Sequence, residues 1–301
     1  MRNPRISLHK VPGHRKVGAA VAKILDGYLD AHPHVQTKTL KALGDKTKQN
    51  SGPSEEDIRA ATRRLELYFR LPATDFSTLR TQLNQPLYEA WVRHAGDPDV
   101  FVPEWLKVGA PSGIEREAEP AGIFPPVRQT VDEHERRPLC EPSESFVNYQ
   151  SIEDSEFGQQ VLDDLVAKGF VNKFGSLSEL KSALGGRDPV LSKLALITTI
   201  KEGIYKHRLI LDCRVSGVND HAVKTERVLL PSAWDIVHDT LTMYAKLKPG
   251  EILRYMVCDY RDAFFMLPLW AEECRYCVAF YKGHDYAWDR VVQGSINGPS
   301  T

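Results

Sequence analysis

The sequence lacks the features that would assign it at once to a membrane or secreted class. No apolar run approaches the roughly 18 residues of a membrane span, so no membrane partner is expected. Residues 1–16 have no apolar core of the signal-peptide kind. The five cysteines are odd in number and irregularly spaced, which favours reduced thiols in an intracellular compartment, cytoplasmic or nuclear.

The composition is that of a folded protein, with 42% hydrophobic and 26% charged residues. The formal net charge of −1 conceals a basic N-terminal segment, because residues 1–50 contain ten Lys and Arg against three Asp. A basic arm of this kind either binds phosphates or acidic partners, or is a solvated tail.

Periodicity and turn residues predict four consecutive segments. They are a basic arm with one helix (1–53), a helical region (54–108), an extended connector rich in Gly and Pro (109–150) and a mixed region (151–301). The predicted fold class is α+β, with a helical N-terminal region followed by antiparallel strands.

Helices are predicted at 17–31, 55–70 and 77–94 in the N-terminal half. Ser54 is expected to cap the second helix. Pro86 is expected to distort the third helix, which ends at the turn 96–99. The expected apolar faces are Leu65, Leu67, Tyr68 and Leu71 on the second helix, and Leu79, Leu83, Leu87 and Trp91 on the third.

The C-terminal half is predicted to mix helices with strands. Helical patterns occupy 156–170, ending at Gly169, and 233–247. Stretches rich in Val, Ile, Leu, Tyr and Cys predict strands at 193–200, 207–213, 254–259, 275–281 and 286–292.

Residues 254–264 contain the first candidate functional site. An apolar strand leads to Asp259, followed by Asp262, Ala263 and Phe264. A carboxylate at the end of a buried strand is costly to dehydrate unless a cation or donor meets it. Two-metal phosphoryl transfer uses carboxylates in that position to hold Mg²⁺ against phosphate oxygens. The alternative is an Asp that caps the next turn.

Residues 201–219 carry a second candidate. Lys201, Lys206 and Arg208 are predicted around a tight turn, and a strand then leads to Asp212 and Arg214. Lys206 and Arg208 are expected to point the same way, as are Asp212 and Arg214, because side chains alternate along a strand. Such cations suit a triphosphate, although a basic surface hairpin has the same pattern.

A third candidate lies in residues 286–301. A short aromatic strand leads to a turn at Gln293, whose amide either contacts a nucleotide or stabilises the turn. Asp285 and Asp289 are assigned to a peripheral hairpin.

Taken in order, the three stretches resemble the reverse transcriptases of retrotransposons and retroviruses, over about residues 155–301. The family blocks are Lys-x-Arg-x-x-x-Asp-x-Arg with a following Asn, then Asp-x-x-Asp/Gly-Ala-Phe/Tyr with Pro-Leu, then an aromatic hairpin and Pro/Val-Gln/Phe-Gly with Ser/Ala-Pro. Here they stand as Lys206, Arg208, Asp212, Arg214 and Asn219; Asp259, Asp262, Ala263, Phe264, Pro268 and Leu269; and Val292, Gln293, Gly294, Gly298 and Pro299.

This resemblance implies the fingers and part of the palm of an RNA-directed DNA polymerase, with an antiparallel sheet. Asp259 would bind Mg²⁺ (or Mn²⁺) with help from the carbonyl of Tyr260. Phe264 would stack under the sugar and disfavour a 2′-hydroxyl. The residues expected around the deoxynucleoside triphosphate are Lys201, Lys206, Arg208, Asp262, Ala263, Phe264 and Gln293.

The implied partners are an RNA/DNA template-primer, deoxynucleoside triphosphates and further polyprotein segments carrying the palm, thumb and RNase H. The family's second metal-binding block, an aromatic residue followed by x-Asp-Asp, is not in this sequence. We therefore expect the 301-residue chain not to extend a primer on its own. The alternatives are a non-catalytic nucleic-acid-binding remnant and a decayed fragment without function.

Overall fold

The computed structural model of this protein is α+β, as the sequence predicts. It describes residues 12–44, 52–120, 122, 124–143, 145–201, 203–229, 232–253, 255, 262–295 and 297. The chain divides into two compact units. Unit 1 comprises Met1–Ala110, Ala121–Ile123 and Pro268–Trp270, and unit 2 comprises Pro111–Pro120, Phe124–Leu267 and Ala271–Thr301. None of the helices described is both long enough and apolar enough to cross a lipid bilayer.

Unit 1 is helical. Its described α-helices are α1 (Pro12–Ala31), α2 (Pro33–Gly44), α3 (Glu55–Tyr68), α4 (Gln85–Ala95) and α5 (Phe101–Val108). The side chains of α1, α3 and α4 meet in one apolar core. Its buried members are Val17, Val21, Phe69, Ala90 and Ala95.

The start of α3 follows the prediction. The Ser54 hydroxyl accepts a hydrogen bond from the amide of Asp57 at 3.2 Å, and the Asp57 carboxylate accepts one from the amide of Ser54 at 3.0 Å. This capping box satisfies backbone groups that the helix itself leaves unpaired. The expected apolar face is half wrong, since Leu67 and Tyr68 are 59% and 42% exposed. Leu67 lies on the opposite side of the helix from Leu65, which packs on the core. Tyr68 is three residues from Leu65 and so lies near the same face, but it remains exposed.

The predicted helix at 77–94 is shorter than expected. Only a 3-10 turn forms at Phe76–Thr78, and α4 begins at Gln85. Pro86 therefore opens the helix instead of denting it, because a first-turn residue needs no amide hydrogen. Asn84 caps this start by accepting a hydrogen bond from the amide of Leu87 at 3.0 Å.

Unit 2 contains the strands. Its helices are α6 (Gln150–Glu153), α7 (Gly158–Ala167), α8 (Leu177–Ala183), α9 (Val218–His221) and α10 (Ala233–Tyr244). Its strands are β1 (Pro126–Gln129), β2 (Val171–Phe174), β3 (Lys193–Lys201), β4 (Ile204–Asp212), β5 (Lys224–Glu226), β6 (Val278–Tyr281) and β7 (His284–Trp288). All the sheets are antiparallel, in the orders β1-β5, β2-β7-β6 and β3-β4.

The β6–β7 hairpin is central to unit 2, and its assignment to the periphery is wrong. β7 is the middle strand of its sheet, and Tyr281 and Tyr286 are completely buried. Asp285 is itself only 6% exposed. Strand β6 begins later than predicted because Ala271–Tyr276 forms a 3-10 turn. Apart from Tyr255, the strand predicted at 254–259 lies outside the described residues.

A buried carboxylate holds the first part of the connector in place. The Glu273 side chain is fully buried and accepts a hydrogen bond from the amide of Ser112. It also accepts from the amides of Ile114, Glu115 and Arg116, at 3.0, 2.8 and 3.2 Å. Beyond this anchor, the described part of the connector forms only β1 and a 3-10 turn, consistent with its Gly and Pro content.

Candidate nucleic-acid interface

The β3–β4 hairpin carries the first family block. Lys201 pairs with Ile204 across its tip, and Gly203 has a φ of +77° in the connecting turn. Lys206 lies opposite Thr199, and Arg208 lies opposite Ile197. Residues that face each other across an antiparallel pair point to the same side of it, so these four side chains share one face. The predicted common direction of the Lys206 and Arg208 side chains is therefore confirmed.

The base of the hairpin's opposite face packs on the rest of unit 2, whereas Ile200 and Tyr205 near the tip are exposed. Leu194, Leu196 and Leu211 are buried there, and the ring of His207 stacks on Phe157 at 4.5 Å. This packing fixes the hairpin and leaves its other face to solvent.

We call that solvent face the basic face; it consists of Lys193, Ala195, Ile197, Thr199, Ile204, Lys206, Arg208, Ile210 and Asp212. Lys206 and Arg208 are both exposed. Neither forms a hydrogen bond or ion pair with another residue in the described part of the chain. Their charges are consequently available to an anion. Of Lys201, only the backbone is described.

An open groove of about 640 Å³ lies at the foot of the basic face. The Tyr149 hydroxyl donates a hydrogen bond of 2.6 Å to the Asp212 carboxylate there, and Lys193 lies 5.8 Å from the centre of the Tyr149 ring. The groove is lined by Asn148, Tyr149, Gln150, Ser151, Ala195, Ile210 and Asp212. Its wall thus combines an aromatic ring, a carboxylate and a nearby cation.

Asp212 ends β4 and stays ionised. Burial acts to raise the pKa of its carboxyl, but the hydrogen bond from Tyr149 and those from the amides of Val215 and Arg214 outweigh burial and lower that pKa. The same bond to Asp212 raises the pKa of Tyr149. The two amide bonds, at 3.0 Å from Arg214 and 3.1 Å from Val215, close a turn directly after the strand. Arg214 therefore lies in this turn, and the expectation that it shares a strand face with Asp212 is wrong.

The third family block lies beside the end of β4. Gln293 is half-buried and forms a narrow turn with Ser295. Asn219 donates a hydrogen bond of 2.9 Å to the carbonyl of Gly294. Gly294 has a φ of +123°, and a β-carbon there would lie 2.1 Å from the carbonyl oxygen of Leu211. Only glycine fits this approach, which brings the first and third blocks together.

The second block is described only from Asp262 onward. Asp262 has a left-handed backbone, with a φ of +56°, and its carboxylate lies 3.1 Å from Nζ of Lys168. Ala263 and Phe264 follow in the 3-10 turn Ala263–Met266, where Ala263 is exposed and Phe264 half-buried. Asp259 and Tyr260 lie outside the described residues, so their assignment as metal ligands stays a prediction.

The described residues do not by themselves supply a metal site. Within the ranges given above, no group of three or more His, Cys, Asp or Glu side chains is arranged to hold a metal ion. Asp262 is engaged by a cation, Lys168. The binding of Mg²⁺ or Mn²⁺ therefore stays a prediction from the family resemblance.

Two residues of the site could not have been selected from their sequence context. Tyr149 is 63 positions from Asp212, and Lys168 is 94 positions from Asp262. Neither lies in a family block. The one local signal is that Lys168 follows the last residue of α7, where a cation favours the helix dipole.

The chain has a low similarity to solved structures. No protein-family model and no curated protein matches it. Two similar solved structures are the foamy viral protease-reverse transcriptase dRH and the foamy viral protease-reverse transcriptase, both in complex with double-stranded DNA. The first is 18% identical, covers 58% of this chain and 26% of the other, and has a TM-score of 0.35. The second is 15% identical, covers 88% and 40%, and has a TM-score of 0.36. The chain thus spans about a quarter to two fifths of their length.

Proposed function

We propose that the basic face of the β3–β4 hairpin binds the phosphates of a nucleic acid, as part of a reverse-transcriptase-like fingers module. The observation that carries this proposal is the pair of exposed cations, Lys206 and Arg208, on one side of β4 with no carboxylate of a described residue bound to either. The side chain of Arg208 offers a planar fork for phosphate oxygens, and Lys206 adds a compact charge.

Rigidity of the hairpin supports binding. The buried leucines and the His207–Phe157 stack hold the opposite face, so the two cations sit on a strand that is already in place. Ordering a flexible segment would cost conformational entropy on association, and this strand avoids most of that cost. The exposed Ile197 and Ile204 beside the cations offer apolar contact to sugars or bases.

The wider proposal is nucleotidyl transfer from a deoxynucleoside triphosphate to a primer 3′-hydroxyl. It is supported by the order of the three family blocks and by the juxtaposition of Gln293 with the end of β4. In it, Lys201, Lys206 and Arg208 hold phosphates and Phe264 lies under the sugar. A magnesium ion at Asp259 would neutralise phosphate charge when bound.

Fluorescence anisotropy of labelled single-stranded RNA and DNA over a range of salt concentrations tests the binding surface. Each phosphate contact contributes about 0.7 to the slope of log K against log salt for single strands. The double variant Lys206→Gln/Arg208→Gln should therefore lose about 1.4 from that slope and bind more weakly at every salt concentration.

A matched control separates this surface from general charge. The double variant Lys246→Gln/Lys248→Gln removes the same charge from two exposed lysines after α10 and should keep the wild-type slope. Equal losses in the two double variants would mean that net charge, and not the basic face, determines binding. No binding by the wild-type protein would refute the proposal outright.

A further inference from the structure

Lys168 forms an ion pair at the start of the turn that contains Phe264. Its Nζ atom lies 3.1 Å from the carboxylate of Asp262, the residue immediately before the 3-10 turn Ala263–Met266. The amide of Phe265 donates a hydrogen bond of 2.8 Å to the Asp262 carbonyl. The position of Asp262 therefore affects the position of the turn.

The same junction between α7 and β2 holds the far side of the turn. The ring of Phe265 stacks on Phe170 with 5.0 Å between centroids and 17° between planes. Phe170 is buried, and Nζ of Lys168 lies 5.8 Å from the centre of its ring. Phe264 therefore lies in a short turn that is held on one side at Asp262 and on the other at Phe265.

The backbone at Asp262 needs such a restraint. Its φ of +56° is left-handed, a conformation that residues other than glycine adopt at a cost. Asp tolerates it better than most residues do. The ion pair with Lys168 offsets this cost, and the side chains are 40% and 27% exposed. A partly exposed ion pair adds little to global stability, so its main effect is on the local geometry of the turn.

We propose that Lys168 is a positioning residue, which orients Phe264 and so sets discrimination between deoxyribonucleoside and ribonucleoside triphosphates. The inference rests on the proposed nucleotide site, in which Phe264 lies under the sugar. Without the ion pair, the turn relaxes, the ring of Phe264 moves, and the space for a 2′-hydroxyl opens.

The test compares the dissociation constants of dATP and ATP, measured by calorimetry with Mg²⁺ on the full 301-residue protein. Wild-type protein should bind dATP more tightly than ATP. Lys168→Ala should reduce the ratio of the two constants at least threefold, mainly through tighter ATP binding. Lys168→Arg, which restores the charge, should keep the wild-type ratio.

A matched lysine provides the control for general effects. Lys181 is also 40% exposed and forms a 2.6 Å ion pair with Asp188, so Lys181→Ala should leave the ratio unchanged. Thermal unfolding of each variant is measured in parallel, and Lys168→Ala should unfold within about 2 °C of wild type.

Several results would overturn the inference. Parallel weakening of dATP and ATP binding by Lys168→Ala, or a lowered unfolding temperature at an unchanged ratio, would show a merely structural role. A wild-type protein that binds neither nucleotide, or both equally, would also refute it. The oligonucleotide experiment on Lys206 and Arg208 remains separate, so failure here is distinguishable from failure of nucleic-acid binding by the hairpin.

Discussion

Replacing Glu273 should destabilise unit 2 far more than replacing its neighbour. The carboxylate of Glu273 is fully buried and accepts four backbone amides from Ser112, Ile114, Glu115 and Arg116. In Glu273→Ala these amides lose their acceptor while the surrounding chain keeps most of them away from water. The variant therefore removes the anchor of the connector and leaves donors unpaired.

The expected magnitude follows from the burial of each amide. The Ser112 contact is buried, and the loss of its acceptor costs about 2 kcal/mol, near the middle of the range for an unsatisfied buried group. The other three contacts are partly buried, so water replaces much of the acceptor, at about 0.5 kcal/mol each. The free energy of unfolding should fall by about 3.5 kcal/mol, a large share of the roughly 5–15 kcal/mol that holds a domain together.

Urea denaturation followed by circular dichroism measures the loss. Hydrogen exchange of a peptide covering 112–116 localises it, because these amides should lose protection before the rest of unit 2. Glu273→Gln keeps the shape but only one acceptor oxygen, and should lose about half as much as Glu273→Ala. Glu272→Gln, whose side chain makes no hydrogen bond with a described residue, should change the free energy by less than about 0.5 kcal/mol.

The explanation would be refuted if Glu273→Ala cost less than about 1 kcal/mol. It would also be refuted if Glu272→Gln cost as much as Glu273→Ala, or if the amides of 112–116 kept their wild-type protection in Glu273→Ala. In those cases the connector would be held by its other contacts.

Two further predictions concern single positions in unit 2. Burial raises the pKa of Asp285, so the native state holds a proton that the unfolded chain releases, and stability is lost as the pH rises from the ordinary carboxyl pKa through the raised one. Asp285→Asn should therefore unfold at a higher temperature than wild type at pH 7 but not at pH 3. The exposed Asp239 provides the control, Asp239→Asn. The prediction would be contradicted if the difference in unfolding temperature between Asp285→Asn and wild type were the same at both pH values, or if Asp239→Asn had a similar effect. Gly294→Ala should cost more than about 2 kcal/mol, because its β-carbon would lie 2.1 Å from the Leu211 carbonyl oxygen. Gly250→Ala, with a φ of +86° but open space, should cost only the backbone strain of about 1 kcal/mol in the same urea titration, and equal losses would refute the role of the close approach.

Local structure could be predicted from the sequence where its cause is local. The capping box of α3 involves residues three apart, and the helix ends at Gly96 and Gly169 need only a residue that accepts a positive φ. The register of β3–β4 follows from a tight turn and from alternating side chains. The predictions for Pro86 and Arg214 failed because each residue is compatible with two local structures. Pro86 could bend a helix or begin one, and Arg214 could continue the strand or lie in the turn after it.

The candidate site was predictable only in part. Lys206 and Arg208 occupy the expected face, and Gln293 lies beside the end of β4. The roles expected for Asp259 and Tyr260 stay predictions, since both lie outside the described residues.

The sequence alone determined the fold class, the helix caps at Ser54 and Gly169, the basic hairpin and the three blocks that resemble reverse transcriptases. Only the tertiary structure decided the partners of those polar and charged groups that bond across long stretches of the chain. Tyr149 reaches Asp212 across 63 positions, Lys168 reaches Asp262 across 94, and Glu273 reaches Ser112 across 161. Caps and turns depend on neighbours within a few residues, whereas the partner of a buried carboxylate depends on how distant segments pack, and no local pattern records that.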